Sequence, residues 1–184
     1  SRMQLEAIRK KWPLMNAEET IERLELLEHQ FDNISRLAHH LLHWAADQKS
    51  EQDPQYQLLE LDYLMAEEAD LLENYAESHQ IDIQLEVLNA KIISDPYLLR
   101  FIIRNLLSYS IKFSPAGKLV ILLAKEFEDK WIIDVQDEGP GIRKEDLSRL
   151  FTMNYRRVSP TGEKSKGIGL LLCRKFAQRM GGDI

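Results

Sequence analysis

Glycine is missing from the first 116 of the 184 residues, and all eight glycines fall at position 117 or later. That imbalance argues against one uniform architecture. Cysteine is nearly absent too: Cys173 stands alone, which excludes an internal disulfide and fits a reducing compartment. No apolar run approaches the roughly 18–20 residues of a membrane span, and the first residues lack the pattern of a secretory signal. These absences lead to an expected cytoplasmic setting with no membrane contact. Internal repeats and low-complexity tracts are also missing. With 44% hydrophobic and 29% charged residues, the composition excludes disorder and collagen-like structure.

What is present is divided unevenly. Residues 1–95 carry 8 basic and 20 acidic side chains, whereas 96–184 carry 16 and 10. An acidic half without glycine is thus followed by a basic half with it, which suggests two architectures and an anion handled by the second. Residues 143–179 hold 10 basic against 3 acidic residues. No interleaved aromatic platform accompanies them, so nucleic acid is not the expected partner.

The spacing predicts one long helix over 17–50, with Asn16 as N-cap and Glu18 and Glu19 at the positive end of its dipole. Leu24, Leu27, Phe31, Ile34, Ala38 and Leu41 form a heptad-like seam, suited to a dimeric bundle or to a hairpin with residues 2–12. His39 and His43 stand one helical turn apart, but no third ligand is suggested, so a solvated or bundle-packed face is expected there. Residues 48–57 read as a polar linker, and 60–79 as a second helix. Period-2 alternation from Ile81 to Val87 predicts a half-buried strand, with Ile92-Ile93 as a short partner. Asp95-Pro96 opens the next helix, with Leu99, Ile102, Ile103, Leu106 and Leu107 as its apolar stripe. Phe101, Asn105, Tyr109 and Lys112 lie along another of its faces. Strands over 118–127 and 131–136, joined as a hairpin, and a helix near 168–180 complete an α+β plan with helices on one face of a mixed sheet.

Three features carry chemistry. Asp137-Glu138-Gly139-Pro140-Gly141-Ile142 follows a strand directly. A carboxylate there can accept a hydrogen bond from an exocyclic amine, and the glycines let backbone turn and approach a flat ring. Gly167-Ile168-Gly169-Leu170 opens a helix whose backbone N–H groups suit phosphate oxygens. The helix face with Asn105 and Lys112 offers an amide oxygen for a hard cation and an ammonium for phosphate. Each alone is weak, since surface turns, helix packing and solvated faces give the same residues.

In this order and spacing, the sequence resembles the histidine-kinase/Hsp90-type ATPase superfamily, and within it the sensor histidine kinases of two-component systems. Arg104-Asn105-Leu106-Leu107-Ser108-Tyr109-Ser110-Ile111-Lys112-Phe113 is similar to its asparagine box, and Asp137 to Ile142 to its first glycine box. Leu150-Phe151 with Tyr155-Arg156 resembles the phenylalanine box, and Glu163 to Leu170 the second glycine box. His40-Leu41-Leu42-His43-Trp44-Ala45 resembles part of a dimerisation helix. The resemblance implies a helical dimerisation region over 1–79 and an ATP-binding α/β sandwich over 80–184, with ATP and Mg²⁺ as cofactors. Asp137 would recognise adenine in a pocket shaped by Gly139, Gly141 and Ile142, while Asn105 would border the metal. Tyr109, Lys112, Tyr155 and Arg156 would face the nucleotide, and Gly167, Ile168, Gly169 and Leu170 would form the lid hinge. A homodimer through the helical region and a response-regulator receiver domain are the implied partners.

Three departures qualify the resemblance. The family's second asparagine, its main magnesium ligand, is Tyr109 here, and a neutral phenol is a poor ligand for that ion. Ser165 replaces a glycine of the second glycine box. None of His29, His39, His40, His43 and His79 precedes an acidic residue, so the resemblance places the acceptor histidine upstream of Ser1. These departures support a second expectation, a degenerate dimeric signalling or scaffold module with weak nucleotide affinity.

Overall fold

A computed structural model describes residues 53–184, except 88, 129, 153, 154, 156, 161 and 163–166. The chain divides into two compact units, Ser1–Asp53 and Pro54–Ile184. The expected helix over 17–50, its seam and the pair His39 and His43 lie outside the described residues. So does most of the helical region whose function the resemblance implied.

The second unit begins with β1 (Gln57–Glu60), α1 (Leu61–Asp70) and α2 (Glu73–Ser78). The sequence pattern assigned residues 54–79 to the linker and helical region, yet they pack into this unit. Leu61, Leu64, Met65, Ala69, Leu72 and Ala76 join one core with Ile103, Leu107 and Ile111. The helix expected over 60–79 breaks at Leu71 and Leu72, without glycine or proline to mark it. Leu72 takes φ −107° and ψ 3° and turns its side chain inward.

Strand β2 (Ile81–Glu86) agrees with the alternation read from the sequence. Strand β3 (Lys91–Ser94) pairs antiparallel with β1, with Leu58 opposite Ile93 and Leu59 opposite Ile92. β1 runs from the last residue of the expected linker to the first of the expected helix, where the sequence pattern predicts no strand. In this ribbon Leu59 and Ile92 face the core, whereas Leu58 and Ile93 stand 69% and 73% exposed.

Helix α3 (Pro96–Phe113) begins where the sequence placed it. Asp95 Oδ1 accepts from the N–H groups of Tyr97 (2.9 Å) and Leu98 (3.0 Å), satisfying donors that a helix start leaves unpaired. Asp95 Oδ2 also accepts from the Gln55 N–H at 2.8 Å, tying the segment before β1 to the helix start. Ser114 caps the other end, and Pro115 follows it.

Strands β4 (Lys118–Phe127) and β5 (Lys130–Asp137) form the expected antiparallel hairpin, and β2 runs parallel to β4. The sheet order β2-β4-β5 is therefore mixed. Val120 and Leu122 are buried beneath α3, with Ile133 and Val135 packed against the same core. A short helix α4 (Lys144–Leu147) and the final α5 (Gly169–Arg179) follow. α5 packs on the other side of α3 through Leu172, Cys173, Phe176 and Ala177 against Ile102, with the Phe101 and Phe176 rings edge-on at 4.9 Å. The result is α+β, and α3 lies between the sheet and α5. Among the described residues, no helix is long and apolar enough to cross a membrane.

Candidate functional site

Helix α3 reaches both glycine segments with polar side chains, Asn105 toward one and Ser110 toward the other. Asn105 Nδ2 donates to the Phe101 carbonyl at 2.8 Å, which fixes the amide. Its Oδ1 lies against the start of α5: a Cβ added to Gly169 would stand 2.7 Å from it. The first residues of α5 thus approach α3 as closely as glycine allows. Gly167 has φ +75° just before, the Ile168 carbonyl accepts the Leu172 N–H at 3.0 Å, and Leu170 is half-buried.

Further along α3, Ser110 Oγ donates to Asp137 Oδ2 at 3.3 Å. Asp137 ends β5, and its other oxygen accepts the Gly139 N–H at 2.8 Å. The carboxylate is thus held from two sides. The residue remains exposed, so its other lone pairs can accept from an amine. The two glycines of this loop have different uses. Gly141 has φ +68°, which residues with a Cβ rarely adopt. Gly139 has no such angle. A Cβ there would meet Asp137 Oδ1 at 2.7 Å and the Phe113 carbonyl oxygen at 2.8 Å, so space rather than backbone angle requires glycine. Next to it, Glu138 accepts from Lys118 Nζ (2.8 Å) and the Leu119 N–H (3.3 Å), and the lysine holds its carboxyl below the usual carboxylate range.

Tyr109 meets a residue that the sequence motifs did not single out. Arg157 Nη1 donates to the Tyr109 hydroxyl at 3.2 Å, and Nη2 donates to the Gly141 carbonyl at 2.8 Å. The guanidinium lies 4.8 Å from the centre of the Phe113 ring, which itself packs 4.4 Å from the Tyr109 ring. Burial raises the Tyr109 pKa, an effect that Arg157 opposes, and the phenol stays neutral near pH 7. Tyr155 is buried beside this group. With Pro140, Gly141, Arg143, Asp146, Arg149, Arg157 and Val158 it lines an open cleft of about 440 Å³. Arg156 lies outside the described residues, as does Ser165. Ile142 and Lys112 are half-buried, the latter in the last turn of α3.

The magnesium implied by the resemblance does not fit the side chains present. The position expected to bind it carries a neutral phenol hydrogen-bonded to a guanidinium. Among the described residues, no three His, Cys, Asp or Glu side chains gather as a metal site. Asn105 offers one amide oxygen that could bind such an ion, but that oxygen is packed against Gly169 and has no second ligand beside it at Tyr109.

Cys173 is fully buried in α5, and burial pushes its thiol well above the usual range. We expect it to react with a thiol reagent at pH 8 only as fast as α5 undocks or the domain unfolds. Rapid labelling of the folded chain would contradict its placement.

Residues 94–184 match the family model of histidine kinase-, DNA gyrase B-, and HSP90-like ATPases, and this domain belongs to that family. More narrowly, the curated relatives it matches are sensor kinases. The aerobic respiration control sensor protein ArcB of Escherichia coli is 35% identical over 97 residues, covering 51% of this chain and 12% of ArcB. The adaptive-response sensory kinase SasA of a Synechococcus strain is 31% identical over 96 residues, covering 51% of this chain and 25% of SasA. The chain therefore spans a quarter or less of these relatives. Among solved structures, full-length ShkA in complex with AMPPNP has a TM-score of 0.67 at 23% identity, covering 91% of this chain and 35% of that one. The Acinetobacter baumannii histidine kinase AdeS has a TM-score of 0.67 at 18% identity, covering 96% and 83%. These likenesses bear out the mixed α+β fold.

Proposed function

We propose that this chain is the nucleotide-binding part of a sensor histidine kinase. It binds ATP between α3, the loop after β5 and the start of α5. Asp137 accepts a hydrogen bond from the adenine amine, Gly139 leaves room for the ring, and Gly141 and Ile142 complete the wall. Asn105 and Lys112 on α3, with Tyr155, Arg156 and the segment Gly167 to Leu170, border the phosphates. The γ-phosphoryl group then passes to a histidine of the helical region and onward to a receiver-domain aspartate. In such a transfer the protein supplies positioning and charge stabilisation. A homodimer through the helical region is part of this reading.

The observation that carries it is that Asp137, at the end of β5, is held between Gly139 and Ser110 of α3, the helix whose Asn105 lies against Gly169. The relatives' names as sensor kinases support it. A hydrogen bond to a charged group contributes about 1.5–3 kcal/mol, so Asp137→Asn should weaken ATP binding about tenfold or more in calorimetric titration. An unchanged affinity would remove Asp137 from the adenine site.

The engagement of Tyr109 by Arg157 favours the second reading, a degenerate signalling or scaffold module. Acid-labile label from radioactive ATP on the longer protein that holds the acceptor histidine would exclude it.

A further inference from the structure

On the nucleotide-binding reading above, we propose that this domain takes ATP without a divalent cation, the Arg157 guanidinium supplying the positive charge that a metal would bring to the phosphates. Arg157 is positioned by the Tyr109 hydroxyl on α3, the Gly141 carbonyl in the first glycine loop and the face of the Phe113 ring. These groups come from two of the elements between which the nucleotide is placed. A guanidinium remains charged at any working pH and pairs well with phosphate oxygens.

The surroundings favour an anion over a second cation. Arg143 and Arg149 line the same cleft as Arg157, with Asp146 as the acidic lining residue. Asp146 already accepts from Arg143, at 2.9 Å. The oxygens of Asp137 are directed to Ser110 and Gly139. A divalent ion beside Tyr109 would meet a neutral phenol and a nearby positive charge, which like-charge repulsion disfavours.

The test is calorimetry on the full chain at constant ionic strength, titrating ATP in EDTA and in excess magnesium chloride. The two dissociation constants should agree within about threefold. Arg157→Gln should weaken ATP at least tenfold and leave adenosine, which has no phosphates, unchanged. Arg157→Lys, which keeps the charge but not the two-point positioning, should bind ATP more tightly than Arg157→Gln and more weakly than the original. Binding at least tenfold tighter with magnesium would overturn the proposal while leaving the ATP reading intact. Equal loss of adenosine and ATP in Arg157→Gln would also overturn it, because the residue would then act through the fold. Failure to bind ATP in either buffer would instead overturn the reading beneath it. The comparison of buffers needs no variant, so it stands even if a substitution disturbs folding.

Discussion

Replacing Arg104 with alanine should lower the unfolding free energy by about 3 kcal/mol, near the lower end of the range for breaking a buried ion pair. The cause is Glu68 on α1, whose side chain is fully buried. Its carboxylate accepts from Arg104 Nε at 2.6 Å and Nη2 at 3.0 Å, and from Arg100 Nη1 at 3.2 Å. Arg100 also pairs with Glu67. Without Arg104, a buried carboxylate keeps only the Arg100 bond. Both arginines are partly exposed, so water supports them whatever happens to Glu68. The penalty should therefore follow the stranded carboxylate. Glu68→Gln combined with Arg104→Ala should recover part of the loss. Urea unfolding followed by tryptophan fluorescence measures both. A loss below about 1 kcal/mol for Arg104→Ala, or a double variant less stable than the single one, would show that the pair does not hold α1 to α3.

Gly139→Ala should reduce ATP affinity about a hundredfold and cost about 1–3 kcal/mol of stability, the usual range for overpacking. The new methyl would collide with Asp137 Oδ1 and with the Phe113 carbonyl oxygen. The carboxylate can rotate away, but doing so abandons the Gly139 and Ser110 hydrogen bonds and the proposed contact with adenine. The Phe113 carbonyl belongs to the last turn of α3 and can shift only by disturbing the helix end. Gly141→Ala tests a different cause, since open space surrounds its Cβ position and only its φ of +68° resists the change. Titration of both variants beside their urea midpoints separates steric from backbone effects. An affinity within threefold of the original for Gly139→Ala would mean that this loop lies away from the nucleotide.

Local signals in the chain were enough for several elements. Asp95-Pro96 marks the start of α3 because both the cap and the proline act within a few residues. The alternation in β2 and the β4–β5 hairpin likewise follow from neighbouring side chains. Strand β1 was not legible, because Gln57 to Glu60 is short and its partner β3 lies more than 30 residues onward. The break at Leu72 also had no local mark, since burial in the core decides it. The glycine motifs were legible as motifs, but their contacts were not. Nothing near Ser110 announces Asp137, 27 residues away. Sequence pointed to Arg156 by resemblance, whereas Arg157 is the described neighbour of Tyr109. Arg157 was not legible because its partners Tyr109 and Gly141 lie 48 and 16 residues away. Glu68 was missed because an acidic residue on an amphipathic helix ordinarily faces water.

Helix α3 takes part in two apolar clusters, one with the sheet and α1, the other with α5. Leu99, Ile103, Leu107 and Ile111 serve the first, and Ile102 serves the second. Undocking α5 would sacrifice only the smaller cluster, leaving the larger one closed beneath α3. Opening at the nucleotide end and global unfolding are then separate events with separate free energies. A sequence can change how readily α5 releases without altering how firmly the rest of the domain holds together.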